Sequence, residues 1–298
     1  MPSARTPSRA VVSALAAVLV LSGCAGGAAS RPASASATAT PSPTATAAAV
    51  PSVGSYVALG DSFTSGPGLA NLRDDSGFCL RSDHNWPTLL ATTLGATRFA
   101  DVSCAGAETH DIGQPASGLT GAPPQIAAVS RDTDLVTLGI GGNDSGLFAS
   151  LIAACTRDDS TCGSYARDTV PSILDQTVPA VVDALQDITA AAPDATVVLV
   201  GYLRIMPESG TCRSIGISAA DASALVRAEE ALDGALQLAA RDAGVDFVSL
   251  RAASRGHDAC AGAEAWTNGA APADRDGIAF HPRLAGMRAV ARTVAATL

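Results

Sequence analysis

The stretch Tyr56-Val57-Ala58-Leu59-Gly60-Asp61-Ser62-Phe63-Thr64-Ser65-Gly66 decides how the chain is read. Val53 to Leu59 is short, rich in β-branched and aromatic residues, and bounded by Gly54 and Gly60, so it predicts a buried strand. Gly60 permits a tight turn, and Asp61 and Ser62 are good N-cap types for a helix that follows. Such a strand-to-helix corner sets the Ser62 hydroxyl at the carboxyl edge of a sheet, beside backbone N–H groups that no helix satisfies. Open α/β folds bind ligands there. Taken alone, the stretch has a second reading, in which Asp61 or Ser62 only caps a helix.

Outward from this corner the chain alternates strands and helices. Asn85 to Leu94 reads as a helix, Thr97 to Val102 as a second strand and Asp134 to Ile140 as a third. Pro171 to Ala192 is a long helical zone, Thr196 to Val200 is a fourth strand of nearly pure β-formers, and Ala219 to Ala243 is an Ala- and Leu-rich helix. Val245 to Leu250 supplies the fifth strand, and Leu284 to Leu298 a closing helix. The alternation predicts an α/β fold with a parallel sheet covered on both faces and right-handed crossovers.

Composition narrows the chemistry. Hydrophobic residues make up 47% of the 298 residues and charged residues 16%, which suits a globular protein with a sizeable core. The formal net charge of -9 argues against nucleic acid as a partner. Every basic residue is Arg; the absence of Lys excludes Schiff-base chemistry and a P-loop lysine.

The N-terminus carries Arg5 and Arg9, then an apolar run from Ala10 to Leu21, then Leu21-Ser22-Gly23-Cys24. The run is short for a bilayer span and ends in small residues, so residues 1–24 read as an export signal. The ending resembles a bacterial lipobox, in which Cys24 is lipid-modified and anchors the chain to the membrane. Ordinary signal cleavage with an incidental Cys24 is the alternative. Residues 25–52 are almost wholly Ala, Ser, Thr, Pro and Gly, with Arg31 their single charge, and read as a disordered tether to a domain at residues 53–298.

Seven cysteines are present, and lipidation of Cys24 leaves six. In an oxidising location three disulfides are the natural reading, although six cysteines allow several connectivities. A sequential pairing, Cys79–Cys104, Cys155–Cys162 and Cys212–Cys260, closes one small loop and ties neighbouring ones. Zinc is not expected, because no cysteines stand at metal-type spacing and no histidine pair accompanies them.

Three further spots fall at predicted strand ends, on the edge that carries Ser62. These are Ser103-Cys104-Ala105-Gly106-Ala107, Gly141-Gly142-Asn143-Asp144 and Phe280-His281-Pro282. A parallel sheet brings its strand carboxyl ends together, so these residues converge. In this order the blocks resemble those of the SGNH (GDSL) hydrolases, and within them the secreted actinobacterial lipases and esterases with three disulfides. The resemblance runs from Tyr56 to the C-terminus. It implies a three-layer α/β/α sandwich, a flavodoxin-like five-stranded parallel sheet, and hydrolysis of carboxylic esters without cofactor or metal. Carried over residue by residue, it makes Ser62 the nucleophile and His281 the general base. The Ser62 N–H, Gly106 and Asn143 then form the oxyanion hole.

One position departs from the pattern. The family places an Asp three residues before the histidine, where this chain has Ile278. The Ile278 backbone carbonyl is expected to accept the histidine Nδ1–H, giving a Ser-His dyad; the competing idea is that Asp276 or Asp274 swings in as the acid. Asp144 is expected to cap the following helix and Asp61 to shape the corner. His84, His110 and His257 read as surface or structural residues. No G-x-S-x-G elbow occurs, against an α/β-hydrolase fold. Phe63, Leu69, Leu147 and Phe148 are candidates to line an acyl pocket.

The functional expectation is an exported, monomeric esterase or lipase acting on ester or lipid small molecules. A carbohydrate deacetylase with the same machinery and a non-catalytic envelope-binding lipoprotein are the alternatives. Aromatic content of 4% offers no evident sugar-stacking platform.

Overall fold

A computed structural model describes residues 53–116, 121–157 and 160–298. The expectations for residues 1–52, including the signal, the Cys24 lipobox and the tether, lie outside the described residues. Among those described, no helix is long and apolar enough to cross a membrane.

Five strands of the described residues form one all-parallel sheet: β1 (Ser55–Gly60), β2 (Arg98–Asp101), β3 (Leu135–Gly139), β4 (Thr196–Val200) and β5 (Asp246–Val248). Their order is β2-β1-β3-β4-β5, with Val57 opposite Ala100 and Val136, and Val136 opposite Val197. After β1 the chain moves to one side to lay down β2, then crosses back for β3. The topological switch point therefore lies between β1 and β3, where flavodoxin-like sheets bind ligands.

Among the described residues eight α-helices surround the sheet: α1 (Ser62–Ser65), α2 (Trp86–Leu94), α3 (His110–Gly113), α4 (Leu147–Cys155), α5 (Cys162–Ser164), α6 (Val170–Ala191), α7 (Ala219–Ala243) and α8 (Leu284–Ala295). Local chemistry marks their ends. Asn85 caps α2 by accepting from the Thr88 N–H, Ser218 caps α7 by accepting from the Asp221 N–H, and Gly95 and Gly244 close those helices in left-handed conformation.

The strand alternation divides the core into two layers. Val57, Leu59, Val136, Leu138 and Leu199 pack with α6 and α7 residues such as Leu185, Leu232 and Leu236. Tyr56, Ala58, Leu135, Val198 and Val248 pack with Leu90 of α2 and Met287, Val290 and Val294 of α8. Successive residues of a strand thus serve opposite faces, which is why these strands read as unbroken apolar runs. The three-layer sandwich expected from the resemblance is the fold.

Three disulfides join Cys79 to Cys104, Cys155 to Cys162 and Cys212 to Cys260, the sequential pairing. The first holds the segment after α1 against the end of β2. The Cys104 N–H also donates to the Gly60 carbonyl at 2.9 Å, so the Ser103–Ala107 loop is tied to the corner itself.

Candidate active site

The corner after β1 is built around Gly60. Its φ is +153°, and a Cβ there would lie 2.7 Å from the Gly139 carbonyl oxygen, so no other residue fits. Gln125 clasps the same residue from the side. Its Oε1 accepts from the Gly60 N–H at 2.7 Å, and its Nε2 donates to the Gly60 carbonyl at 3.0 Å. Asp61 is the N-cap of α1, accepting from the Phe63 N–H at 2.8 Å, and its own N–H donates to Gly139 at 3.0 Å. Ser62 follows as the first residue of α1, buried to 8% exposure, with its N–H among the donors a helix start leaves unsatisfied. The helix cap is therefore Asp61, and Ser62 has no part in it.

His281 lies 219 residues away in sequence, yet its Nε2 is 2.9 Å from Ser62 Oγ. Its Nδ1 is 2.7 Å from the Ala279 carbonyl oxygen. A carbonyl only accepts, so Nδ1 carries the proton and Nε2 presents a lone pair to the serine hydroxyl. Burial lowers the His281 pKa below the ordinary 6.5, with the Ala279 hydrogen bond opposing it. The imidazole is thus neutral at pH 7, the state a general base requires. Phe63 packs against the ring, centroids 5.1 Å apart.

The expectation that Ile278 supplies the orienting carbonyl is corrected by this geometry. The Ile278 carbonyl faces the His281 backbone N–H at 3.2 Å and Asn268 Nδ2 at 3.3 Å. Residues 278–281 form a tight turn, with Phe280 at φ +57°, that engages the Ile278 oxygen in closing itself and leaves the Ala279 oxygen for the imidazole. Asp276 faces elsewhere: its carboxylate accepts from Arg283 Nε at 2.7 Å and from the Leu284 N–H at the start of α8 at 2.8 Å. Asp274 is exposed.

Asn143 follows β3 and lines the same small cavity as Ser62 and His281, with Asp61, Phe63, Gly142, Phe148 and Tyr202 completing the wall. One hydrogen of its Nδ2 goes to the Ala107 carbonyl at 3.0 Å, which leaves the second for a ligand. Gly106 sits one residue earlier in that tied loop with φ +83°, a conformation that favours glycine. Contrary to the expectation from sequence, Asp144 does not cap α4, whose N-cap is Gly146. Its two oxygens accept from the Thr109 N–H and Thr109 Oγ1, both at 2.8 Å, stitching the loop after β3 to the loop after β2.

Tyr202, two residues beyond β4, was not singled out from sequence. Its hydroxyl donates to Asp61 Oδ2 and accepts from the Gly142 N–H at 2.8 Å. Burial pushes the Asp61 carboxyl up to about 7 against the Tyr202 and Phe63 hydrogen bonds, and pushes the Tyr202 phenol well above 10. Of the four acyl-pocket candidates, Phe63 and Phe148 line the cavity. Leu147 packs behind it, and Leu69 belongs to the layer of α2 and α8.

The remaining histidines stand apart from this cavity. His257 stacks on Trp266 at 4.1 Å, and the half-exposed His84 and exposed His110 lie beside Asp83 and Asp111. Among the described residues no group of three or more His, Cys, Asp or Glu is placed to hold a metal ion.

The profile of the GDSL-like Lipase/Acylhydrolase family matches residues 58–289. Lipase 2 of Streptomyces coelicolor is 37% identical over 216 residues, 69% of this chain and 72% of its own length. A lipase of Streptomyces rimosus is 35% identical over 70% of this chain and 74% of its own. The solved structure of phospholipase A1 from Streptomyces albidoflavus shares the fold with a TM-score of 0.72 at 28% identity, covering 82% of this chain and 98% of that one. The matched span begins inside β1 and ends inside α8, taking in Ser62, Gly106, Asn143 and His281, and the chain belongs to the GDSL-like lipase/acylhydrolase family of ester hydrolases.

Proposed function

We propose that this chain is an exported serine hydrolase that cleaves carboxylic esters, lipids included, through an acyl-enzyme on Ser62. The observation that carries the reading is the 2.9 Å contact between Ser62 Oγ and His281 Nε2, with His281 Nδ1 held 2.7 Å from the Ala279 carbonyl oxygen. His281 Nε2 takes the serine proton as Oγ attacks the ester carbonyl, forming the Oγ–C bond and an oxyanion. The Ser62 N–H, the Gly106 N–H and the second Asn143 Nδ2 hydrogen receive that charge. Collapse breaks the C–O bond, and His281 returns the proton to the leaving alcohol. Water then repeats the sequence, with His281 again as base, and releases the acid. No cofactor enters the scheme.

Ala279 completes a dyad. Its carbonyl holds the imidazole tautomer, the task a buried Asp performs in a triad. Names of the relatives support lipids and simple esters as the substrate class. Three disulfides support an oxidising, extracytoplasmic location. The Leu-Ser-Gly-Cys ending supports anchoring through Cys24, with the monomeric domain held off the membrane by residues 25–52. Hydrolysis of p-nitrophenyl esters by the wild type, Ser62→Ala and His281→Ala tests the mechanism: each substitution is expected to abolish turnover. Retained activity in either variant overturns it, and a wild type that hydrolyses none of the esters would favour the envelope-binding alternative. A series of acyl chains run beside acetylated sugars separates the lipase from a carbohydrate deacetylase.

A further inference from the structure

Of the three proposed oxyanion donors, the Ser62 N–H belongs to the nucleophile corner and the other two sit on two loops beyond it, and fixed donors are effective only if their spacing is fixed. The Gly106 loop is anchored to the corner by the Cys104 N–H on Gly60 and to the segment after α1 by the Cys79–Cys104 disulfide, while Asn143 on Ala107 and Asp144 on Thr109 join it to the loop after β3. The loop after β3, which carries Asn143, reaches the corner through the Asp61 N–H on Gly139 and through one side chain. That side chain is Tyr202. Its hydroxyl takes the Gly142 N–H and gives its own proton to Asp61, so a single oxygen connects the residue before Asn143 with the residue before Ser62.

We propose that Tyr202 is the positioning residue of the catalytic cavity, setting the separation between Ser62 and the Asn143 amide through its paired bonds to Asp61 and Gly142. The inference rests on the ester-hydrolase reading given above. The fit around the phenol is close. A Cβ on Gly142 would stand 2.8 Å from the Tyr202 hydroxyl, so the backbone is held against the ring with no room for slippage. Phe63 meets Tyr202 edge-on at 5.0 Å, and Phe63 in turn packs on His281. The tyrosine therefore touches the frames of nucleophile, base and oxyanion donor while its hydroxyl is committed to Asp61 and Gly142. Removing the hydroxyl leaves the packing in place but strips the Gly142 N–H of its acceptor and Asp61 Oδ2 of its donor, while Asp61 Oδ1 keeps the Phe63 N–H.

Tyr202→Phe tests this, because it keeps the ring and deletes one oxygen. In p-nitrophenyl butyrate hydrolysis kcat is expected to fall by about 10- to 100-fold with KM changed less than threefold. A positioning residue that acts through Asn143 must also be silent once that amide is gone. The double variant Tyr202→Phe/Asn143→Ala should therefore match Asn143→Ala alone, a loss of about 10²- to 10³-fold. Leu94→Ala, in α2 on the opposite layer, lowers Tm with kcat retained and shows what destabilisation alone does. A kcat within twofold of wild type in Tyr202→Phe, or losses that multiply in the double variant, overturns the proposal. Turnover that survives Ser62→Ala instead removes Ser62 as the nucleophile, and with it the separation that Tyr202 is proposed to set, whatever Tyr202→Phe shows.

Discussion

Replacing Asp276 by Asn separates two accounts of how His281 is oriented. In a triad the carboxylate holds the imidazole, and its conversion to an amide costs about 10⁴-fold in kcat, some 5.5 kcal/mol of transition-state stabilisation at 1.36 kcal/mol per decade. Here the acceptor at His281 Nδ1 is the Ala279 carbonyl, and Asp276 is engaged by Arg283 and by the first N–H of α8. An amide oxygen at the same place still accepts from the Leu284 N–H, so the helix start is kept. What is lost is the ion pair with Arg283, both partners of which are about a quarter exposed. Solvent screening holds that pair to about 1 kcal/mol or less, a Tm change of about 2–4 °C in a domain of this size. Steady-state hydrolysis of p-nitrophenyl butyrate beside a thermal melt reads both quantities. The structure predicts kcat within about threefold of wild type and a small fall in Tm. A loss of 10²-fold or more in kcat with unchanged Tm would refute the backbone-carbonyl dyad.

Two more predictions follow from the same geometry. Because burial lowers the His281 pKa and no carboxylate bonds to its ring to raise it, the acid limb of kcat/KM should fall below pH 6.5. Activity is present above that limb and lost as pH falls through it; a limb centred above pH 7 would signal an acidic partner on Nδ1. The Cys79→Ser/Cys104→Ser double substitution opens a loop of 25 residues, which chain entropy sets at about 3.5 kcal/mol of stability, and Tm should drop by about 7–14 °C. A melt unchanged within a degree would contradict the structural role given to that bridge.

Sequence disclosed the frame and the candidate site residues because both leave local marks. β4 and α7 occupy the residues their patterns predict, Thr196–Val200 and Ala219–Ala243, since β-branched runs and a capped amphipathic helix are decided within a few residues. Helix α4 left no such mark. Leu147–Cys155 is apolar on nearly every side, without the polar face that gives a period, and it begins at Gly146 with no capping side chain. The Asp144 carboxylate was misread for a related reason: an Asp before a helix has a local partner to hand, yet this one is satisfied by Thr109, 35 residues earlier. Tyr202 bonds Asp61 across 141 residues, and no local pattern announces it. Its place just past β4, on the edge that carries every other site residue, was the available signal. The orienting acceptor is main chain, so no side-chain pattern encodes it. The left-handed Phe280 in the 278–281 turn decides between the Ile278 and Ala279 oxygens.

The central claim is that Ser62, activated by His281, is the nucleophile. A p-nitrophenyl alkylphosphonate traps such a serine as a covalent tetrahedral adduct, and intact-mass analysis with peptide mapping locates the bond. The account predicts one adduct per chain, on the peptide carrying Ser62, formed in step with loss of esterase activity and at least 10²-fold slower in His281→Ala. An adduct on any other residue, or full esterase activity in a chain labelled at Ser62, would contradict it.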